Sequence, residues 1–269
     1  ELHLHRLQVL MSLGRYSQVV DACSRAQVLL ERVLPSWGEF FRTTLHMEGA
    51  YCAVYLDPRP ETAGRLLESL EPVDLPGTMR FIARSVRGEL ELTRGNVRTA
   101  ALIQRVSLRY AGNWRSILGS GSQWELYILS MCLITDVELS PDDAVELDAG
   151  AIRARATLLL RDILSDPAPR QRDIPTIMGF AAAVGLSTVA AEDAGSDRRA
   201  VGAELVATAL AVGTNQTYRL LSHDYLRSRT ERLDAQALAR AEERIRSLDR
   251  GGLVAHAADL AGRLAGEVG

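Results

Sequence analysis

Apolar residues recur along the chain at spacings of three and four, the period of a helix with one buried face, while strand-like alternation is almost missing. The pattern predicts helices near 2–13, 16–34, 37–56, 61–71, 77–94 and 96–110, then near 123–138, 142–165, 174–191, 197–212, 216–229, 234–248 and 253–265. Between the two runs lies a Gly- and Ser-rich break at 111–122, from Ala111-Gly112-Asn113-Trp114 to Gly119-Ser120-Gly121-Ser122. The nine prolines fall between periodic segments, where proline ends a helix or occupies its first turn. Ser140-Pro141-Asp142-Asp143 has the order of a helix start: a capping hydroxyl, a first-turn proline, then acids at the positive dipole end. About thirteen helices with short connections and no strands predict an all-α array.

Within this array some segments repeat. Leu13-Gly14-Arg15-Tyr16 joins two predicted helices and leads to Ala26. Arg94-Gly95-Asn96-Val97 does the same, with Gly88 before it and Ala100 after it. A weaker unit places Gly49 and Ala50 on one helix and Ala63 and Leu67 on the next, with Asp57-Pro58-Arg59-Pro60 as the turn. Small residues are needed where paired helices touch, and Gly14 and Gly95 would supply a positive φ in the turn. These features resemble the tetratricopeptide (TPR) repeat. Gly14 and Gly95 are further apart than two repeats of about 34 residues, so the connections are long and the repeats irregular. The expectation is a TPR-like α-solenoid of about six to seven antiparallel helical pairs. Residues 1–113 would form its N-terminal repeats, and 114–269 would continue the same solenoid.

In that register, first-helix side chains line a concave groove. They are Gln8, Met11 and Ser12 in the first unit, His46 in the second, and Ser85, Glu89 and Thr93 in the third. Trp114, in the break, joins them as a loop-borne contact. This lining is mixed and close to neutral.

Composition narrows what the array can do. All 31 basic residues are arginine, and there is no lysine. A P-loop, a kinase strand lysine and a pyridoxal Schiff base are therefore excluded. So is the two-lysine clamp by which other TPR proteins hold chaperone tails. Exclusive arginine use follows from G+C-rich coding and is not evidence of phosphate recognition. A net charge of −3 gives no general attraction to nucleic acid or anionic membrane. No apolar run reaches the roughly 18 residues that span a bilayer. The chain starts at Glu1, without a methionine or a basic-then-apolar leader, and is expected to be part of a longer protein. Cys23, Cys52 and Cys132 are widely spaced in apolar helical stretches, as expected of core residues in a reducing cytoplasm.

Candidate chemistry is sparse. Asp142-Asp143-Ala144-Val145-Glu146 spells the magnesium motif of all-α terpene synthases, but the partner motif needs Asn, then Ser at +4 and Glu at +8. Asn96, Asn113 and Asn215 are followed at +4 by Ala100, Ile117 and Arg219, so the match fails. His3 and His5 point about 200° apart on a helix, and His46, His223 and His256 have no metal-ligand spacing. Gly119-Ser120-Gly121-Ser122 is not a nucleophile elbow. Arginine-rich faces at Arg80, Arg84 and Arg87, and at Arg240, Arg244 and Arg246, are interleaved with Glu89, Glu91, Glu242 and Glu243. Solvated helix faces carrying ion pairs account for them. Neither a catalytic set, a metal site nor a cofactor is expected.

The C-terminal half carries a family likeness. Arg170-Gln171-Arg172-Asp173-Ile174-Pro175 opens a helix rich in Ala, Val and Gly. Gly195-Ser196-Asp197-Arg198-Arg199-Ala200-Val201-Gly202-Ala203-Glu204-Leu205 opens another, and Ser222-His223-Asp224-Tyr225 precedes a helical tail. This order resembles the C-terminal TPR region of large actinobacterial transcription regulators. These are the SARP-type activators that carry a bacterial transcriptional activator domain, and related multidomain regulators. The likeness covers roughly residues 80–269. It implies a non-catalytic sensor or protein-interaction module in the cytoplasm, binding a protein partner, upstream domains of the same regulator or a small effector. DNA binding would belong to a winged helix elsewhere in the parent protein, so no direct nucleic-acid or membrane partner is expected. The alternatives are an oligomerisation scaffold and an all-α enzyme.

Overall fold

The computed structural model describes residues 18, 21–23, 25, 38–55, 59–70, 77–111, 121–139, 149–166, 174–215 and 218–266. They form ten α-helices and one 3-10 turn, with no strand among the described residues. The helices are α1 (Gly38–Tyr55), α2 (Pro60–Glu68), α3 (Gly77–Thr93), α4 (Val97–Ala111) and α5 (Gly121–Glu138). They continue as α6 (Ala149–Ser165), α7 (Ile174–Ala190), α8 (Ser196–Val212), α9 (His223–Ile245) and α10 (Arg250–Gly266), with the 3-10 turn at Arg219–Leu221. Each lies on a segment with helical periodicity. The first predicted turn at Gly14 and the Asp142-Asp143 segment lie outside the described residues.

The chain divides into two compact units, Glu1–Ser107 and Leu108–Gly269. In the first, α1 packs on α2 and α3, and α2 on α3. Gly49 is the close point: a Cβ there would lie 3.1 Å from Leu66 and 3.3 Å from Cys23. Ala50, Ala63 and Leu67 are buried around it, as the weaker repeat predicts. Pro60 sits in the first turn of α2, where its missing N–H costs nothing.

The link from α3 to α4 follows the glycine logic closely. Gly95 has φ +82°, Gly95 N–H donates to the Leu92 carbonyl, and Asn96 N–H donates to the Glu91 carbonyl. This pair of bonds is a Schellman cap, which needs a left-handed residue at the Gly95 position. The Asn96 carbonyl then accepts the first bond of α4 from Ala100 N–H, so one helix stops and the next starts within three residues.

The second unit is organised differently from a single row of pairs. Every residue of α7 from Ile177 to Val189 is buried, as is every residue of α8 from Val201 to Leu210. The stretch Glu125–Thr135 of α5 is buried as well. A helix that is apolar all round must be surrounded by others. Here α7 contacts α5, α6, α8 and α9, while α10 returns to pack on α6 as well as on α8. Stacking of chain neighbours alone would not bring α10 to α6. This unit is a bundle closed around α7.

Five buried Thr hydroxyls are satisfied within their own helices. Thr135, Thr157, Thr188, Thr208 and Thr230 each donate to the carbonyl one turn earlier. Cys23, Cys52 and Cys132 are buried.

Candidate functional site

The first-helix groove does not open to solvent at the positions the repeat register assigns. His46, Ser85 and Glu89 are all buried. The His46 ring nitrogen Nδ1 lies 2.6 Å from Ser69 Oγ, which ties α1 to the end of α2. Ser85 and Thr93 turn back on α3 and donate to the carbonyls of Phe81 and Glu89. The repeat register assigns these side chains to a concave groove, but α3 buries Ser85 and Glu89 on the side that meets its neighbours. Gln8, Ser12 and Trp114 lie outside the described residues.

What the first unit presents outward is on α4. Leu102 and Val106, one helical turn apart, are 46% and 40% exposed, and Arg98 lies exposed a turn before them. Positions i and i+4 of a helix share a face, so the three form one stripe with an apolar centre. The opposite face of α4 is fixed: Ala100, Ala101, Gln104 and Ser107 are buried. Gln104 lies so close to Gly88 that a Cβ there would be 2.5 Å from its Nε2. The turn between α3 and α4 is braced at Glu91, whose carboxylate accepts from Arg94 at 3.0 Å and from Asn96 at 2.7 Å. Arg87 adds a longer i,i+4 contact to the same carboxylate. The arginines of α3 thus include partners of acids on their own helix, whereas Arg105 is buried and contributes no outer face.

In the second unit three carboxylates hold helices together. Glu204 on α8 is 5% exposed, with one oxygen 2.8 Å from His256 Nε2 on α10 and the other paired with Arg244 on α9. Glu138, at the end of α5, accepts from Tyr225 Oη and Arg229 Nε on α9, each at 2.5 Å. Burial, then the Glu138 carboxylate, pushes the Tyr225 phenol well above its usual range. Buried Glu125 on α5 pairs with Arg155 on α6. Arg153, also on α6, donates to the Ser187 carbonyl in the last turn of α7 and reaches Asp193 beyond it. A cation at a helix C-terminus complements the free carbonyls there.

The sequence reading did not identify these groups as paired. Their signal was a single acid or base within an apolar helix, as with Glu204 between Ala203 and Leu205. Each joins helices far apart in the chain. Among the described residues, no three His, Cys, Asp or Glu side chains form a metal set, and no helix is long and apolar enough to cross a membrane. No protein-family model matches the chain, nor does any curated protein or solved structure.

Proposed function

We propose that the chain is a non-catalytic sensor and protein-interaction module of a cytoplasmic bacterial transcription regulator, with TPR-like helical pairs in its first unit. One observation supports this above the rest. The hairpin α3–α4, with Gly88 at its crossing and a Schellman cap at Gly95, directs an apolar pair outward, Leu102 and Val106. An α-helix with exposed large apolar residues one turn apart is a suitable surface for a partner helix. Covering the exposed part of the two side chains contributes about 1 kcal/mol each.

In this reading the partner face is on α4, while His46, Ser85 and Glu89 serve the core. The occupant is a protein partner or another domain of the same regulator. A small effector would act by favouring one arrangement over another, which requires different affinities for the two. The braced turn at Glu91 would keep α4 fixed relative to α3 while the partner exchanges.

The test is a transcript profile. A strain lacking the gene for this chain should change a defined set of transcripts, and the intact gene should restore them. Transcripts that do not respond to the deletion would end the regulator reading.

A further inference from the structure

Helix α9 is helical over His223–Ile245 except at Asp234, whose φ of −158° and ψ of 82° are extended. The bend there brings the two arms back toward each other. Arg227 Nη1 lies 2.7 Å from Glu242 Oε1, whereas a straight helix would separate their Cα atoms by about 22 Å. No Gly or Pro makes this turn. Leu233, Ala235, Gln236 and Ala237 flank it, and all are good helix formers. What holds the turn is Asp234 itself, whose carboxylate accepts the Ala237 N–H at 2.8 Å and so caps the second arm.

Both parts of the segment beyond the turn are packed on the rest of the unit. Leu238 and Ile245 on the second arm, and Leu253, Leu260 and Leu264 on α10, are buried. Arg244 and His256 both end on Glu204 of α8, and α10 covers α6. Straightened at Asp234, a chain would carry this piece away from its own α6 and α8. A second copy would offer identical partners.

We propose that Asp234 is a hinge at which Ala235–Gly266 exchanges between two copies of this chain, the two arms of α9 joining into one continuous helix in each. Every contact of the segment is remade with the other copy, so the balance is set by the hinge and by concentration. Asp234 favours the closed form twice over, as a cap for the second arm and as a poor residue inside a helix.

The test uses the 269-residue chain, refolded from denaturant over a range of concentrations and sized by light scattering after gel filtration. Asp234→Ala removes one cap per chain, about fivefold each, so its dimerisation constant should rise about 25-fold. Arg227→Cys/Glu242→Cys should dimerise when refolded reduced and stay monomeric when its disulfide has been closed within the isolated monomer beforehand, because the straight form holds the two positions of one chain apart. If wild type and Asp234→Ala both remain monomeric at the highest attainable concentration, the proposal is overturned. A dimer that forms equally from monomer whose disulfide was closed within the chain beforehand overturns it too, because the copies then associate without exchange. Should Asp234→Ala fail to fold, the comparison of reduced and oxidised double cysteine variant decides alone.

Discussion

Gly185 on α7 and Gly202 on α8 lie backbone to backbone. A Cβ on Gly185 would sit 2.5 Å from the Gly202 carbonyl oxygen, and one on Gly202 would sit 2.8 Å from the Gly185 carbonyl oxygen. Both obstacles are main chain, which cannot swing aside as a side-chain tip can. Gly185→Ala and Gly202→Ala should each lower stability by about 1–3 kcal/mol in urea unfolding, the overpacking outweighing alanine's better helix propensity. Gly262 on α10 has nothing within 4 Å of its virtual Cβ, so Gly262→Ala should gain up to about 1 kcal/mol. Equal effects at all three positions would mean that the α7–α8 approach is not tight.

Glu204 joins three helices, and its removal leaves Arg244 and His256 without their common acceptor. Arg244 is half exposed and can turn to water, which limits the loss. Glu204→Ala should cost about 1–3 kcal/mol in the same measurement, more than Arg244→Ala. If Arg244→Ala cost more, Glu204 would not be the centre of the cluster.

The Tyr225 phenol gives a pH prediction with a definite sign. Its folded value is raised above the ordinary one of about 10. The unfolded chain therefore loses this proton first, and the associated stability is present below pH 10 and falls as pH rises above it. Tyr225→Phe should cost about 1 kcal/mol at neutral pH and flatten the decline between about pH 10 and 11.5. Absorbance at alkaline pH should show one tyrosine that ionises only on unfolding. An unchanged slope in Tyr225→Phe would assign the decline elsewhere.

Local signals account for what could be read from the chain. Pro60 opens α2, and Gly95 ends α3 where a left-handed residue is required. The break near 230–233, predicted from periodicity, corresponds to the bend at Asp234 inside a helix that is otherwise continuous. The closed bundle departs from the solenoid expected over 114–269, and its one signal in the sequence is that Ile174–Ala190 contains no charged residue, since such a helix needs neighbours on all sides. The face assignment on α3 went differently. The repeat register puts Ser85 and Glu89 on an open concave groove, yet the structure buries them. Pairings such as Glu204 with His256 and Glu138 with Tyr225 depend on which helices meet, and no local pattern in one chain carries that.

The reading of α4 as the partner face can be separated from stability in one experiment. Leu102→Asp/Val106→Asp changes two half-exposed side chains and should leave the chain folded, with thermal unfolding lowered by less than about 10 °C. Introduced at the native gene, it should reproduce the transcript changes of the deletion. A variant that folds normally and restores every transcript as the wild type does would contradict the account.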